Sequence, residues 1–183
     1  QQQTIKNNVK IVARIPIDML VNGGTLQVPI DYPSMSGGMM GFMRKMVTVT
    51  LEPNTPIGSS IILMPAEHKI PDINMLVLLI APQDSPTGDY QLDGYNVYMP
   101  LRVNVFDSMT GRSIDVTLAT GATVRVKLPK CIDSGKTIRL AGKGLSDISG
   151  TCGDAYLVVS LVMPEISDEK IAKIEDIFYG QST

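Results

Sequence analysis

Apolar and polar residues alternate along most of the chain, and each alternating run reads as a strand with one face buried. Val9, Ile11, Ala13 and Ile15 predict a first strand, and Ile17 to Leu20 a helical turn closed by Gly23 and Gly24. Leu26, Val28 and Ile30 alternate again with Pro29 among them, which suits an edge strand because proline gives a ladder no N–H. Strands follow at about 46–51, 59–64 and 74–81, the last apolar from Met75 to Ala81 as if buried on both faces. The stretch 82–94 is rich in proline, glycine and acids, and reads as a linker. Beyond it, strands are expected at about 97–105, 112–118, 122–127, 136–140 and 155–162, with Thr120-Gly121 as a hairpin turn. Phe106 to Thr110, stopped by Gly111, repeats the earlier helical turn.

The two halves echo one another. Val47, Val49, Leu51, Gly58, Ile61 and Leu63 recur as Val124, Val126, Leu128, Gly135, Ile138 and Leu140, shifted by 77 positions. A period this long indicates duplicated domains rather than a solenoid. The expected fold class is therefore all-β: two tandem β-sandwich domains, residues 4–84 and 85–183, with short helical turns and one C-terminal helix. The spacing between matching glycines is 11 residues longer in the first copy, and the excess falls at 34–46. Met35, Met39, Met40, Met43 and Met46 cluster there around Gly37, Gly38, Gly41 and Phe42. Methionine is unbranched and polarizable, so such a cluster reads either as a pliable apolar contact for other polypeptides or as a loop folded onto its own sandwich.

Residues 168–178 predict the helix. Ser167 supplies an N-cap, Asp168 and Glu169 fill the first turn, and Ile171, Ile174, Ile177 and Phe178 form one apolar stripe. A helix this short needs tertiary support, on the second sandwich or on a partner subunit.

Composition narrows the function classes. The chain has 183 residues, 44% of them hydrophobic and 19% charged, which is a globular balance. A net charge of −2 with scattered Lys and Arg gives no basic field for nucleic acid. No apolar run is long enough for a transmembrane helix, and the first residues, Gln1 to Thr4, carry no signal-peptide pattern. Cys131 and Cys152 lie outside any CxxC and read as free thiols of a reducing, cytoplasmic compartment. The single histidine, His68, sits between Glu67 and Lys69 as an exposed turn residue. No nucleophile, zinc or phosphate-loop motif is present, and Gly142-Lys143-Gly144 lacks the strand–loop–helix setting of an anion site. The expectation is a binding protein, not an enzyme, with no metal and no cofactor.

The second half carries a specific pattern: Thr120-Gly121, then Val124 to Pro129, then Arg139-Leu-Ala-Gly-Lys-Gly144, then Gly153-Asp154. It resembles the C-terminal region of DnaJ-family co-chaperones, closely in the second half and more loosely in the first. That family's J domain needs a His-Pro-Asp triplet, whereas His68 is followed by Lys69, so the likeness is to the part without the J domain. The family's zinc-binding subtype carries CxxC motifs in its first sandwich. The cysteine-free Met-rich insertion occupies that place, so the chain is similar to the zinc-free subtype.

The resemblance implies binding of unfolded polypeptides in an apolar groove on the first sandwich, formed by Ala13, Ile15, Val28 and Ile30 and extended by Met39, Met40, Phe42 and Met43. It implies a DnaK-type chaperone as a further partner, whose acidic tail binds lysines in some members. The matching positions read Leu26 and Pro29, and Arg44 alone keeps a positive charge. It also implies a homodimer, for which Ile171, Ile174, Ile177 and Phe178 are the candidates. A different reading stays open: a structural or assembly protein that keeps the sandwich scaffold without chaperone activity.

Overall fold

The computed structural model describes residues 7–36, 39–70 and 73–180. The first sandwich contains β1 (Asn7–Ile15), α1 (Ile17–Asn22), β2 (Gly24–Ser36), β3 (Met39–Leu51), β4 (Ser60–Leu63) and β5 (Ile73–Pro82). β6 (Gln91–Asp93) follows. The second contains β7 (Asn96–Asn104), α2 (Val105–Thr110), β8 (Ser113–Thr117), β9 (Thr123–Lys127), β10 (Thr137–Leu140) and β11 (Ala155–Val162). The chain of elements ends in α3 (Asp168–Tyr179).

The sequence echo is a structural one. In each copy the first strand pairs in parallel with the last, β1 with β5 and β7 with β11. In each the fourth strand pairs antiparallel with the last, β4 with β5 and β10 with β11. Each resulting sheet faces a two-stranded antiparallel hairpin, β2–β3 or β8–β9. The helical turns have local causes. In α1 the carbonyl of Pro16 accepts from the N–H groups of Met19 and Leu20, at 3.1 and 3.2 Å. In α2 the side chain of Asn104 accepts from the N–H of Phe106 at 2.9 Å, and Gly111 closes the turn at φ 65°.

Alternation decides the cores. Ala13, Ile15, Val28, Ile30, Val47, Val49, Leu76, Leu78 and Ile80 fill the first, and Leu101, Val103, Val116, Val126, Leu128, Leu157 and Val159 the second. Burying one such aliphatic side chain fully is worth about 1.5–3 kcal/mol. β5 departs from the expectation of burial on both faces: Val77 is buried, but Leu79 on the same outer face is 36% exposed. A third cluster draws from both sandwiches. Ile17, Val97 and Leu145 are buried in it, with Val21, Ile57, Tyr90, Leu92 and Ala119 packed around them. The N–H of Ile57 donates to the carbonyl of Ser146 at 2.9 Å across the same junction.

Two expectations are corrected by pairing. The stretch read as a linker contains β6, which pairs with β7 and closes part of that strand's free edge. Within the stretch 34–46 read as an insertion, Ser34–Ser36 and Met39–Met46 belong to strands: β2 and β3 stay paired out to Ser36 and Met39, each strand 13 residues long. Glycines, prolines and methionines obscure the alternation there, and cross-strand pairing supplies what propensity lacks.

Candidate functional site

Outward of Tyr32 and Val47, which are the last large apolar core residues on their strands, the β2–β3 hairpin projects from the sandwich. Lys45 marks the limit, since its ammonium donates to the carbonyl of Lys69 at 3.1 Å and holds the 65–70 turn against the hairpin's inner face. Beyond that point the side chains are bare. Met39, Met40, Phe42 and Met43 are 79, 75, 84 and 51% exposed, and Met46 on the outer face is 52% exposed. Pleating distributes them: Met39 and Met43 share the register of Val47, while Met40, Phe42 and Met46 share the opposite face. So large an apolar group left in water at one place is the mark of a contact surface.

Of the four residues assigned to a groove from the sequence, Ala13 and Val28 line one between β1 and β2. Ala13, Ile15, Val28 and Ile30 are 1, 0, 6 and 0% exposed and belong to the first core. A pleat has period two, so their outward neighbours are what a partner would meet. This shallow groove of about 260 Å³ is lined by Val12, Ala13, Arg14, Leu26, Gln27, Val28 and Pro29. Val12 is 57% exposed, and the alternation that placed Ala13 inside already placed Val12 outside. Arg14 reaches Asp84 at 3.5 Å along the rim. Proline cannot fill a hydrogen-bonded position of the ladder, so at Pro29 and Pro33 the backbone of β2 is directed away from β3. The edge of β2 therefore lacks N–H donors at Pro29, in the groove, and at Pro33 beyond it, which limits strand addition there.

Arg44 lies opposite Asp31 on the outer hairpin face and forms a two-pronged pair with it, at 2.7 Å from Nε and 2.8 Å from the second nitrogen. The guanidinium holds the Asp31 carboxyl below its ordinary range, and Arg44 is raised in turn. The one charge the sequence left for an acidic tail is thus already matched by a carboxylate on the same hairpin.

Beside α2, α3 rests lightly. None of its residues is buried: Ile171, Ile177 and Phe178 are 41, 77 and 62% exposed, and Ile174 is half-buried. Ser167 occupies the N-cap position with extended backbone but makes no side-chain capping bond. Between α2, the 163–166 segment and α3 lies an apolar groove of about 510 Å³, walled by Phe106, Met109, Met163, Ile171, Ile174 and Phe178.

The glycine-rich motif of the second half is a scaffold. Arg139 Nε meets Asp154 at 2.6 Å, and the other Asp154 oxygen accepts from the N–H of Gly142 at 2.8 Å. The N–H of Gly144 donates to the carbonyl of Gly153 at 2.9 Å, and that of Asp154 to the Asn96 side chain at 2.9 Å. The Gly142 N–H bond first, and Arg139 next, hold the Asp154 carboxyl below its ordinary range. A Cβ at Gly144 would stand 2.5 Å from the carbonyl oxygen of Tyr95, and one at Gly153 would collide with the same atom. His68 is half-buried in the 65–69 turn. Among the described residues no group of three or more His, Cys, Asp or Glu is placed to hold a metal ion, and no helix is long and apolar enough to cross a membrane.

The model of the DnaJ C terminal domain matches residues 4–164. Curated relatives include the chaperone protein DnaJ of Gluconacetobacter diazotrophicus, 37% identical over 78 residues, which is 41% of this chain and 20% of that protein. The DnaJ of Synechococcus elongatus is 37% identical over 76 residues, 42% of this chain and 26% of that protein. Chaperone protein DnaJ 2 of Cutibacterium acnes is 30% identical over 77 residues, 42% of this chain and 20% of that protein. The matched stretch spans about a fifth to a quarter of each of these relatives.

Proposed function

The chain belongs to the DnaJ C-terminal domain family, and on that premise we propose that it binds apolar segments of non-native polypeptides at the β2–β3 hairpin and the groove beside it. The observation that carries this reading is the exposure of Met39, Met40, Phe42, Met43 and Met46 on one projecting hairpin. Unbranched methionine side chains repack around differing partners at small cost, so the surface suits many sequences rather than one. Val12 and Leu26 continue the apolar path into the β1–β2 groove.

Two partners complete the reading. The exposed stripe Ile171, Ile177 and Phe178 on α3, with the groove next to it, serves to join a second copy, and two hairpins on one dimer raise avidity for a long unfolded chain. A DnaK-type chaperone receives the client. Docking of its acidic tail on Arg44 requires the Asp31 pair to open or to share the guanidinium.

Aggregation of a chemically denatured enzyme, followed by light scattering, tests the proposal. The chain should slow aggregation, and Met40→Asp with Phe42→Asp should remove the effect while the thermal melt stays in place. Undiminished suppression by that variant sinks the hairpin as the binding surface. One tight partner in place of generic suppression would favour the assembly-protein reading.

A further inference from the structure

We propose that Met39, Met40, Met43 and Met46 are oxidation sites, and that converting them to sulfoxides releases bound polypeptide. This rests on the client-binding reading above and names a regulation of that surface.

Thioether oxidation follows access of the oxidant to sulfur. The four methionines are 51–79% exposed and lie within eight residues of a single hairpin. Pleating places two on each face, so a client on either side touches two of them. Other exposed methionines, Met64 at 57%, Met109 at 43% and Met163 at 74%, stand outside this hairpin. β-branched residues would suit paired strands better than methionine, so propensity does not explain the choice.

The step is a two-electron oxygen transfer from a peroxide. The sulfur lone pair attacks one oxygen of hydrogen peroxide, the O–O bond breaks, an S–O bond forms, and the remaining oxygen leaves as water after taking up the proton of the transferred hydroxyl. The sulfur is oxidised and the peroxide reduced. Each product places a strong acceptor where the apolar side chains of a client offer no donor, and burying it unpaired is unfavourable. The sandwich itself is spared, because the core begins at Tyr32 and Val47 and contains none of these sulfurs. A sulfoxide reductase, drawing two electrons from thiols, returns the surface to its starting state.

The experiment measures binding of a permanently unfolded, fluorescently labelled polypeptide before and after hydrogen peroxide. Cys131 and Cys152 are exposed and react with the same oxidant. Dithiothreitol is therefore added afterwards, which reverses disulfides and sulfenates but leaves sulfoxides. The expected result is a loss of affinity on the order of tenfold with the thermal melt retained, restored by methionine sulfoxide reductase. The readout is the ratio of affinities before and after oxidation, so the starting affinity of each variant drops out. The ratio should return to near one when the four methionines are replaced by leucine, and should remain large in Met64→Leu/Met163→Leu. Binding that survives complete oxidation of the four, verified by peptide mass spectrometry, overturns the switch alone. Equal loss in the leucine variant does the same, as does oxidation of Met163 at peroxide levels that leave the hairpin untouched. Failure of the unoxidised chain to bind overturns the client reading, and the switch falls with it.

Discussion

The side-chain amide of Asn22, at the end of α1, donates to the main-chain carbonyl of Thr120 in the hairpin turn of the other sandwich, at 3.0 Å. The two residues are 98 positions apart and tie the end of α1 in one copy to the hairpin turn of the other. Beneath the bond lies the shared cluster of Ile17, Val97 and Leu145. The tandem domains are therefore joined by a packed junction as well as by the connecting chain.

That junction has a weak point at Gly121. Its φ is +82°, and a Cβ there would stand 2.7 Å from the Asn22 amide nitrogen. Gly121→Ala should cost about 1–3 kcal/mol through backbone strain, with loss of the Asn22 bond added to it. Asn22→Ala, which removes the bond alone, should cost about 0.5–1.5 kcal/mol. Urea unfolding of both variants measures the difference, and equal midpoints would show that the bond contributes nothing.

Inward and outward positions of β1 and β2 should separate in experiment. Ile30→Ala leaves a cavity in the first core and should lower stability by about 2–5 kcal/mol. Val12→Asp lies on the open wall of the groove and should weaken polypeptide binding while leaving the thermal melt nearly unchanged. If Val12→Asp unfolds the chain, or binds as the parent does, the groove assignment fails.

Acid should loosen the second sandwich. The Asp154 carboxyl is held below its ordinary value, near 3.8, by the Gly142 N–H and by Arg139. A group whose folded pKa is depressed contributes its full stabilisation above the unfolded value and loses it as pH falls through the folded one. Asp154→Asn should therefore melt lower than the parent at neutral pH, with the gap closing below about pH 4. A gap independent of pH would assign the effect to geometry rather than to charge. Asp31 and Asp147 are depressed too and lose stabilisation in the same direction.

The α3 stripe predicts an oligomer. Sedimentation velocity should find dimers that Ile177→Glu with Phe178→Glu converts to monomers, without change in the melt of the sandwiches. A parent chain that is monomeric at high micromolar concentration would remove α3 as a dimer contact.

Much of this architecture was legible in the alternation. Strand positions, both helical turns and the helix after Ser167 follow from local pattern, because a half-buried strand must repeat every two residues and an amphipathic helix every 3.6. The 77-residue echo announced a duplicated unit, and the parallel pairing of β1 with β5 and of β7 with β11 repeats it in space. The methionine cluster was picked out by composition, which left open whether it faced partners or its own sandwich. The β-hairpin that carries it was not picked out, since glycine and proline interrupt the pattern and only pairing across the strands holds it. The family likeness pointed to Ala13 and Val28, which line the β1–β2 groove with the exposed Val12 beside them.

The sequence by itself determined the modules, their order and the apolar patches, since these depend on local periodicity and on residue type. Tertiary structure decided how Arg44 was matched by Asp31, and that the two copies meet through Asn22 and Thr120. Those outcomes depend on contacts between residues distant in the chain. They are set when two sheets close over one another and leave a single face of each open to water.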